Sequence, residues 1–566
     1  MPKIEVYKDT LMKYINKKLS LEELEEVFPA AKAELDDVIE EDGIIKVELN
    51  DTNRPDLWST AGLGRQLRIY LGGKAPSYPF FSSRDKKQDT AGRQIIVDKN
   101  LKDIRPFIAG FAVKGKKIDE PTLKDIIQTQ EKLCWNYGRK RSSIAMGVYR
   151  NDLFSYPVNY SAADPDKTRF VPLGMEKELS LREIIKEHPK GIEFGGIVAD
   201  FPNFPYLTGA EGGTLSFPPV INSAEIGAVE TGDSNLFIEM TGTEIYSLVT
   251  ACSIVACDLA DSGFEILPVE VVYPYDTPLG KSVTCPYYFQ APAEVDLGFS
   301  NKMLGVTLSE KDTVAALERM GVQVTGTEPK ISVRVPEYRN DFLHQVDVVE
   351  DIMIGRGMNS FDPEMPSDST IGRYTPMDEF IRKIKDIMVG LGYQEMIFNY
   401  LGSAKDYIEK MNIDSSGFVR ISNPMSENYE YVRKSGIPAL LQTEAVSGNA
   451  VYPHYAFETG KTAELDEKTV SGTVTRNILS FMIADRNAGY NSVHAHVNAL
   501  LFYLNRETKL EELRDPRFIA GRSAEIIYNK KKAGVFGEIH PVVLENWGIQ
   551  TPCAAAEINL DVLMGD

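Results

Sequence analysis

The chain has 566 residues, 43% hydrophobic, 25% charged and 10% aromatic, which excludes a disordered or fibrous protein and predicts about three or four domains. With 62 basic against 82 acidic residues the net charge is −20, which argues against a free-standing nucleic-acid binder; a polyanionic ligand would need positive surface from a partner chain. No apolar run approaches the roughly 18 to 20 residues that span a bilayer, the N-terminus lacks the apolar core of a secretion signal, and five cysteines occur without a CxxC pair; a soluble cytoplasmic protein with reduced thiols is expected.

Taken in chain order, the first element is an amphipathic helix over 9–19, with Leu11, Met12, Ile15 and Leu19 on one face. A second helix begins at Ser20, where Ser20-x-x-Glu23 is a capping box, and buries Leu21, Leu24, Val27 and Phe28. An acidic stretch, 34–42, precedes a strand (IIKVEL), a turn (NDTNRPD) and a helix over 57–71. The charged run SSRDKKQDT, 82–90, reads as a linker.

From 93 to about 274 strands and helices alternate: RQIIVD, FIAGFAVKG, a helix over 122–137, SSIAMGVYR, IEFGGIVA, TLSFPPVIN, NLFIEMTG, a long helix over 243–260 and FEILPVEVVY. A smaller unit over 282–362 carries helices at 301–304 and 309–320, the second capped by Ser309-x-x-Asp312. The last part opens with the helix PMDEFIRKIKDIMVGLGY. It continues with the strand-like runs QEMIFNYL, YAFETG, TVSGTVT, SAEIIYN, AGVFGEIH and AAAEINLDVL, and helices over 492–504 and 541–547, the pattern of an antiparallel sheet with flanking helices.

Two clusters carry candidate chemistry. In PEYRNDFLHQVDVVEDIMIGRG, a helix puts Asp347, Glu350 and Asp351 on one strip, within reach of Asp341. Such a strip suits Mg²⁺, a hard cation, and equally suits an acidic first turn complementing the helix dipole. In FIEMTGTE, Glu239 and Thr241 share one face of a strand, near Ser216 of SFPPVIN. Facing inward they place a carboxylate and a hydroxyl in an apolar wall able to read a polar ligand group; facing outward they are solvated. His454, His494 and His496 do not form a metal pattern, because residues two apart on a helix diverge. Walker, GxSxG and HExxH motifs are absent.

In order and spacing, VELNDTNRPDLWSTAGLGRQLRIY, RPFIAGFAVKG, QEKL…GRKR…AMGVYR, SFPPVINS, NLFIEMTGTE, VPEYRNDFLHQVDVVEDIMIGRGMN, FETG, GRSAEI and GVFGEIHP resemble the β chains of phenylalanine–tRNA ligase, in the short archaeal and eukaryotic form of this class II synthetase family. The resemblance covers nearly the whole chain. It implies an α+β multidomain protein: an N-terminal α+β domain (1–88), a mixed α/β editing domain (89–275), a small winged-helix-like domain (276–362) and a class II synthetase-like antiparallel domain without catalytic motifs (363–566). It further implies an (αβ)₂ heterotetramer in which the α subunit binds phenylalanine, ATP and the 3′ end of tRNA(Phe). Asp341, Asp347, Glu350 and Asp351 match the family's Mg²⁺-associated acidic pattern. Leu207, Ser216, Glu239 and Thr241 match its editing pocket, which hydrolyses tyrosyl-tRNA(Phe); many relatives carry Asp at the position of Glu239. The resemblance also allows a scaffold that retains the pocket without activity.

Overall fold

The computed structural model describes residues 2–51 and 53–565, in two compact units, Met1–Glu364 and Met365–Asp566. The first unit begins with a three-stranded antiparallel sheet in which Ile44–Leu49 lies between Lys3–Tyr7 and Ala33–Ile39. Two of these strands were not expected. KIEVY is a strand because Ile4 and Val6 are fully buried while Lys3 and Glu5 face out, the alternation of a half-buried edge. The acidic stretch forms the opposite edge, where charges discourage pairing with another chain. Helix Lys8–Ile15 is shorter than expected, and the Ser20–Glu23 capping box is present.

The central element is a ten-stranded mixed sheet. Its order runs Ile221–Asn222, Thr214–Phe217, Phe204–Thr208, Val158–Ala163, Gln94–Val97, Glu265–Val272, Phe107–Lys114, Leu236–Gly242, Ile144–Arg150, with Ser282–Cys285 also on Glu265–Val272. Only the two pairs made by Gln94–Val97 are parallel. The apolar helix Ile245–Asp261 lies across this sheet, burying 13 of its 17 residues. IEFGGIVA, expected as a strand, is instead helix Pro189–Phe194 and the 3₁₀ turn Gly195–Ile197. Pro189 starts the helix, and a Cβ at Gly191 would lie 1.8 Å from the Ile184 carbonyl oxygen, so packing against the preceding helix overrides the β-like composition. Ser282–Cys285 extends the large sheet rather than the smaller unit. That smaller part is a sheet of Ala293–Val295, Ile331–Arg334 and Gln323–Gly326 with helices Leu297–Leu304, Glu310–Arg319 and Gln345–Arg356.

Buried ion pairs recur through these parts, and one set joins two of them. Arg54 grips Asp56 through two 2.8 Å bonds. Arg65 reaches Asp258 and Asp261 of the long helix at 3.1 and 2.8 Å and stacks 4.1 Å from the Tyr338 ring centre. Arg339 holds both Asp341 and Asp351. Gly62 belongs to the same seam, since a Cβ there would strike the Asp56 carbonyl.

The second unit is one seven-stranded sheet in the order Gln394–Glu395, His454–Leu465, Thr473–Ala484, Cys553–Asn559, Lys531–Ile539, Phe518–Tyr528, Lys509–Glu512, antiparallel except for the first pair. Helices Pro376–Gly390, Tyr490–Tyr503 and Leu560–Met564 cover one face; Ile437–Val446 and Pro541–Trp547 cover part of the other. TVSGTVT is mostly a hairpin turn closed by Asp466 and Gly472, and the strand begins at Thr473. The run NILSFMIA that follows is buried on both faces and so shows no alternation.

Replacing Arg339 by Met leaves two buried carboxylates without their cation. We expect a loss of about 3 to 5 kcal/mol in urea unfolding of the chain; a midpoint equal to wild type would show the pair to be dispensable.

Candidate functional site

Strand Leu236–Gly242 is buried along its whole length between Phe107–Lys114 and Ile144–Arg150. Strand geometry directs Phe237, Glu239 and Thr241 to one face and Ile238 and Met240 to the other. Glu239 therefore faces inward, and its cross-strand neighbours on the two sides are both glycines, Gly110 and Gly147. Those glycines leave the room that the carboxylate uses. A Cβ at Gly147 would come within 2.6 Å of Glu239 Oε1 and 2.1 Å of the Tyr149 hydroxyl.

Tyr149 fills that room. Its hydroxyl oxygen lies 2.8 Å from Glu239 Oε1 and 2.9 Å from Ser216 Oγ. Two of the four expected pocket residues therefore meet at one phenol, and a third, Leu207, is the cross-strand partner of Ser216. The fourth, Thr241, accepts at Oγ1 from Arg105 Nε (2.9 Å), and its carbonyl accepts from Arg105 Nη2 (2.7 Å). Arg105 in turn donates to the carbonyls of Arg141 and Ser142. All four expected residues, and Tyr149 and Arg105 with them, are buried.

Burial raises the Glu239 carboxyl to about 7, against the hydrogen bond from Tyr149 and the charge of Arg105, which pull it down. Glu239 Oε2 is buried with no hydrogen-bond partner, while Oε1 is engaged. The site thus holds one carboxylate oxygen in reserve, on a group that is part protonated near neutrality. Neither Ser216 nor Thr241 bonds to a histidine among the described residues, so neither is activated as a nucleophile. Tyr149, Arg105 and Gly147 were not singled out in the sequence. Their signal was present in RPFIAGFAVKG and AMGVYR, whose residues reach the site only through sheet pairing.

The four side chains of the acidic strip all have partners within the chain. Asp341 and Asp351 both turn to Arg339; burial pushes the Asp341 carboxyl up, but Arg339 and Arg54 outweigh it and hold it well below the usual range. Asp347 turns back to accept from the amides of Leu343 and His344 at 2.7 and 2.6 Å, and Glu350 pairs with Lys32 at 2.9 Å. Among the described residues no group of three or more His, Cys, Asp or Glu side chains is arranged to hold a metal. The helical spacing is as expected, but cations of the protein itself and helix-start amides have taken the oxygens. The histidines are equally separate: His496 meets Tyr393, His494 meets Asn498 and His454 meets Glu444.

In the second unit, Glu458 of FETG is paired at 2.6 Å with Arg433, itself fully buried, so its charge is spent internally. A cleft of about 770 Å³ on this sheet is lined by Ser435, Glu464, Arg476, Arg517 and Glu557. These groups answer one another: Arg476 pairs with Glu464, Arg517 with Asp515, and Glu557 accepts from Ser435 and the Gly436 amide.

Because its folded value lies above its ordinary 4.5, Glu239 favours the folded state below pH 4.5, and that contribution is lost as pH rises through about 7. Glu239→Gln should match wild type in urea at pH 4.5 and exceed it at pH 8 by up to about 3 kcal/mol. Parallel pH curves for the two proteins would place Glu239 in contact with water.

Three family models match: the phenylalanyl tRNA synthetase beta chain CLM domain at 362–560, the tRNA synthetase B5 domain at 293–358 and the Phe-tRNA synthetase beta subunit B1 domain at 1–73. Proteins named phenylalanine–tRNA ligase beta subunit from Borrelia hermsii and Borrelia turicatae are each 48% identical over 565 residues, covering 100% of both chains; that of Borreliella burgdorferi is 45% identical with the same coverage. A solved N-terminal fragment of the phenylalanyl-tRNA synthetase beta subunit from Pyrococcus horikoshii covers 63% of this chain and 100% of its own, at 36% identity and a TM-score of 0.58. End-to-end identity at this level, with the three matched family models in chain order, shows that the chain belongs to the family of phenylalanine–tRNA ligase beta subunits.

Proposed function

We propose that the chain assembles with an α subunit as an (αβ)₂ ligase that attaches phenylalanine to tRNA(Phe), and that its Glu239 pocket hydrolyses tyrosyl-tRNA(Phe) made in error. Phenylalanine and ATP belong to the α subunit. This division is supported by the second unit, where the charges of the sheet cleft and of FETG are neutralised within the chain. We read the protein as cytoplasmic and of the short architecture, with working domains 1–88, 89–275, 276–362 and 363–566. Among the described residues no helix is long and apolar enough to cross a membrane.

The observation that carries the editing role is Glu239 Oε2, a buried carboxylate oxygen without a partner. A tyrosyl hydroxyl would supply that partner. Phenylalanine has no hydroxyl and would leave the oxygen unsatisfied, which discriminates far more strongly than an apolar pocket rejecting an added oxygen. Tyr149, itself bonded to Ser216, fixes the other carboxylate oxygen in place, and water serves as the nucleophile. A second reading, a scaffold with a closed pocket, is favoured by one observation: the phenol of Tyr149 already lies between Ser216 and Glu239.

Tyrosine release from tyrosyl-tRNA(Phe) by the αβ complex separates the two readings. Editing predicts release by wild type and a loss of about 10- to 100-fold in kcat/KM for Glu239→Ala, the size of a hydrogen bond to a charged group. No release by wild type, with normal phenylalanylation, would leave the scaffold. ATP–pyrophosphate exchange should be absent for this chain alone and appear when α is added; exchange without α would place a working synthetase site in the second unit.

A further inference from the structure

We propose that the turn Arg139–Lys140 together with Trp135 is the docking surface for the single-stranded 3′ end of a tRNA, beside the Glu239 pocket. This rests on the editing reading of that pocket and adds to it the surface that would deliver the substrate.

The first observation is backbone strain. Arg139, Lys140 and Arg141 have φ of 49°, 53° and 68°, three consecutive L residues in the left-handed region. Such a conformation suits glycine or asparagine, and each long side chain held there costs free energy. The turn is closed by backbone bonds, Lys140 N to the Trp135 carbonyl at 2.9 Å and Arg141 N to the Cys134 carbonyl at 2.8 Å. Three large cations at such positions are retained at a cost, and strain of this kind collects where a site is held ready for a ligand.

The second observation is how the three cations divide. Arg141 is a rivet: its guanidinium donates to the carbonyls of Pro219 and Val220 and stacks 4.1 Å from the Phe194 ring centre. Arg139 and Lys140 are exposed, and neither pairs with a carboxylate among the described residues. In a chain with 82 acidic residues, two adjacent unpaired cations held in a rigid turn make a local reversal of sign that attracts phosphodiesters.

The third observation is the aromatic beside Lys140. Trp135 is 48% exposed, whereas Trp58 and Trp547, the other two tryptophans, are 1% and 7% exposed. Lys140 Nζ lies 5.1 Å from the centre of its ring. An exposed indole beside a cation is the arrangement that stacks a base and holds its backbone without reading sequence. A duplex buries its bases and could not use the indole, so the chemistry selects a single strand.

The fourth observation ties this surface to the pocket. One guanidinium, Arg105, donates to Thr241 on one side and to the carbonyls of Arg141 and Ser142 on the other. The turn that carries Arg139 and Lys140 is therefore tied through one side chain to the β-strand that carries Glu239.

The test uses the αβ complex, wild type beside Trp135→Phe, with two transcripts of tRNA(Phe), one complete and one lacking its single-stranded 3′ nucleotides. The wild-type-minus-variant tryptophan fluorescence isolates Trp135. It should be quenched by the complete transcript and not by the shortened one. No quenching, or equal quenching by both, overturns the proposal. Arg139→Gly/Lys140→Gly keeps the left-handed turn and removes the cations, so it separates binding from folding. Its melting temperature should equal or exceed that of wild type. Its KM for tyrosyl-tRNA deacylation should rise about tenfold, and the slope of log affinity against log salt should become shallower by about 1.4, the value for two single-strand phosphate contacts. An unchanged KM and salt slope would overturn the proposal. The two readings fail separately: quenching of Trp135 without tyrosine release sinks editing alone, and tyrosine release without quenching sinks this surface alone.

Discussion

Removing charge from water is the most expensive thing the first unit does, and it does so repeatedly where its parts meet. Arg54, Arg65, Arg105 and Arg339 are all almost fully buried. An arginine cannot shed its proton to escape the penalty, so each must be met by carboxylates or carbonyls in a fixed geometry. Arg54 and Arg339 find carboxylates close by in sequence, whereas the partners of Arg65 and Arg105 come from distant segments. Arg65 joins the helix Thr60–Tyr70 to Asp258 and Asp261 of the long helix, and it stacks on Tyr338, next to Arg339. Asp258, which burial pushes up to about 7 against the pull of Arg65, shows how closely these terms balance. Apolar contacts would tolerate a shift between the parts; ion pairs without water do not.

The same constraint decides which acids are free for chemistry. Asp341, Glu350 and Asp351 are spent on the protein's own cations and Asp347 on a helix start. Among the buried carboxylates of the described residues, Glu239 alone keeps an oxygen in hand, because the strand that carries it runs between two glycines and Arg105 is turned toward Thr241 and the turn beyond. In the second unit Arg433 and Glu458 form another buried pair, in which the guanidinium Nη2 is left without a hydrogen-bond partner.

Most helices and the inner strands were legible because their signals are local. Capping boxes at Ser20 and Ser309 and the apolar stripe of Ile384 and Met388 depend on residues three or four apart. What failed was decided at longer range. The strand Thr473–Ala484 has helices on both sides, which erases alternation, and helix Pro189–Phe194 takes its form from the helix it packs on. The candidate site divides in the same way. That Glu239 and Thr241 share a face follows from period two; that Tyr149 and Arg105 meet them follows from pairing across 90 and 136 residues. The acidic strip was placed correctly on one helix, but Lys32 reaches Glu350 from the far end of the unit's sequence.

The order of strands in the large sheet bears on how the protein is made. Strand Glu265–Val272 lies between Gln94–Val97 and Phe107–Lys114, so the early strands have no neighbour on that side until residue 272 has been synthesised. At typical elongation rates the roughly 160 intervening residues take about 8 to 30 seconds. Through that interval the nascent chain carries apolar segments such as FIAGFAV with an open hydrogen-bonding edge, the kind of surface that chaperones cover.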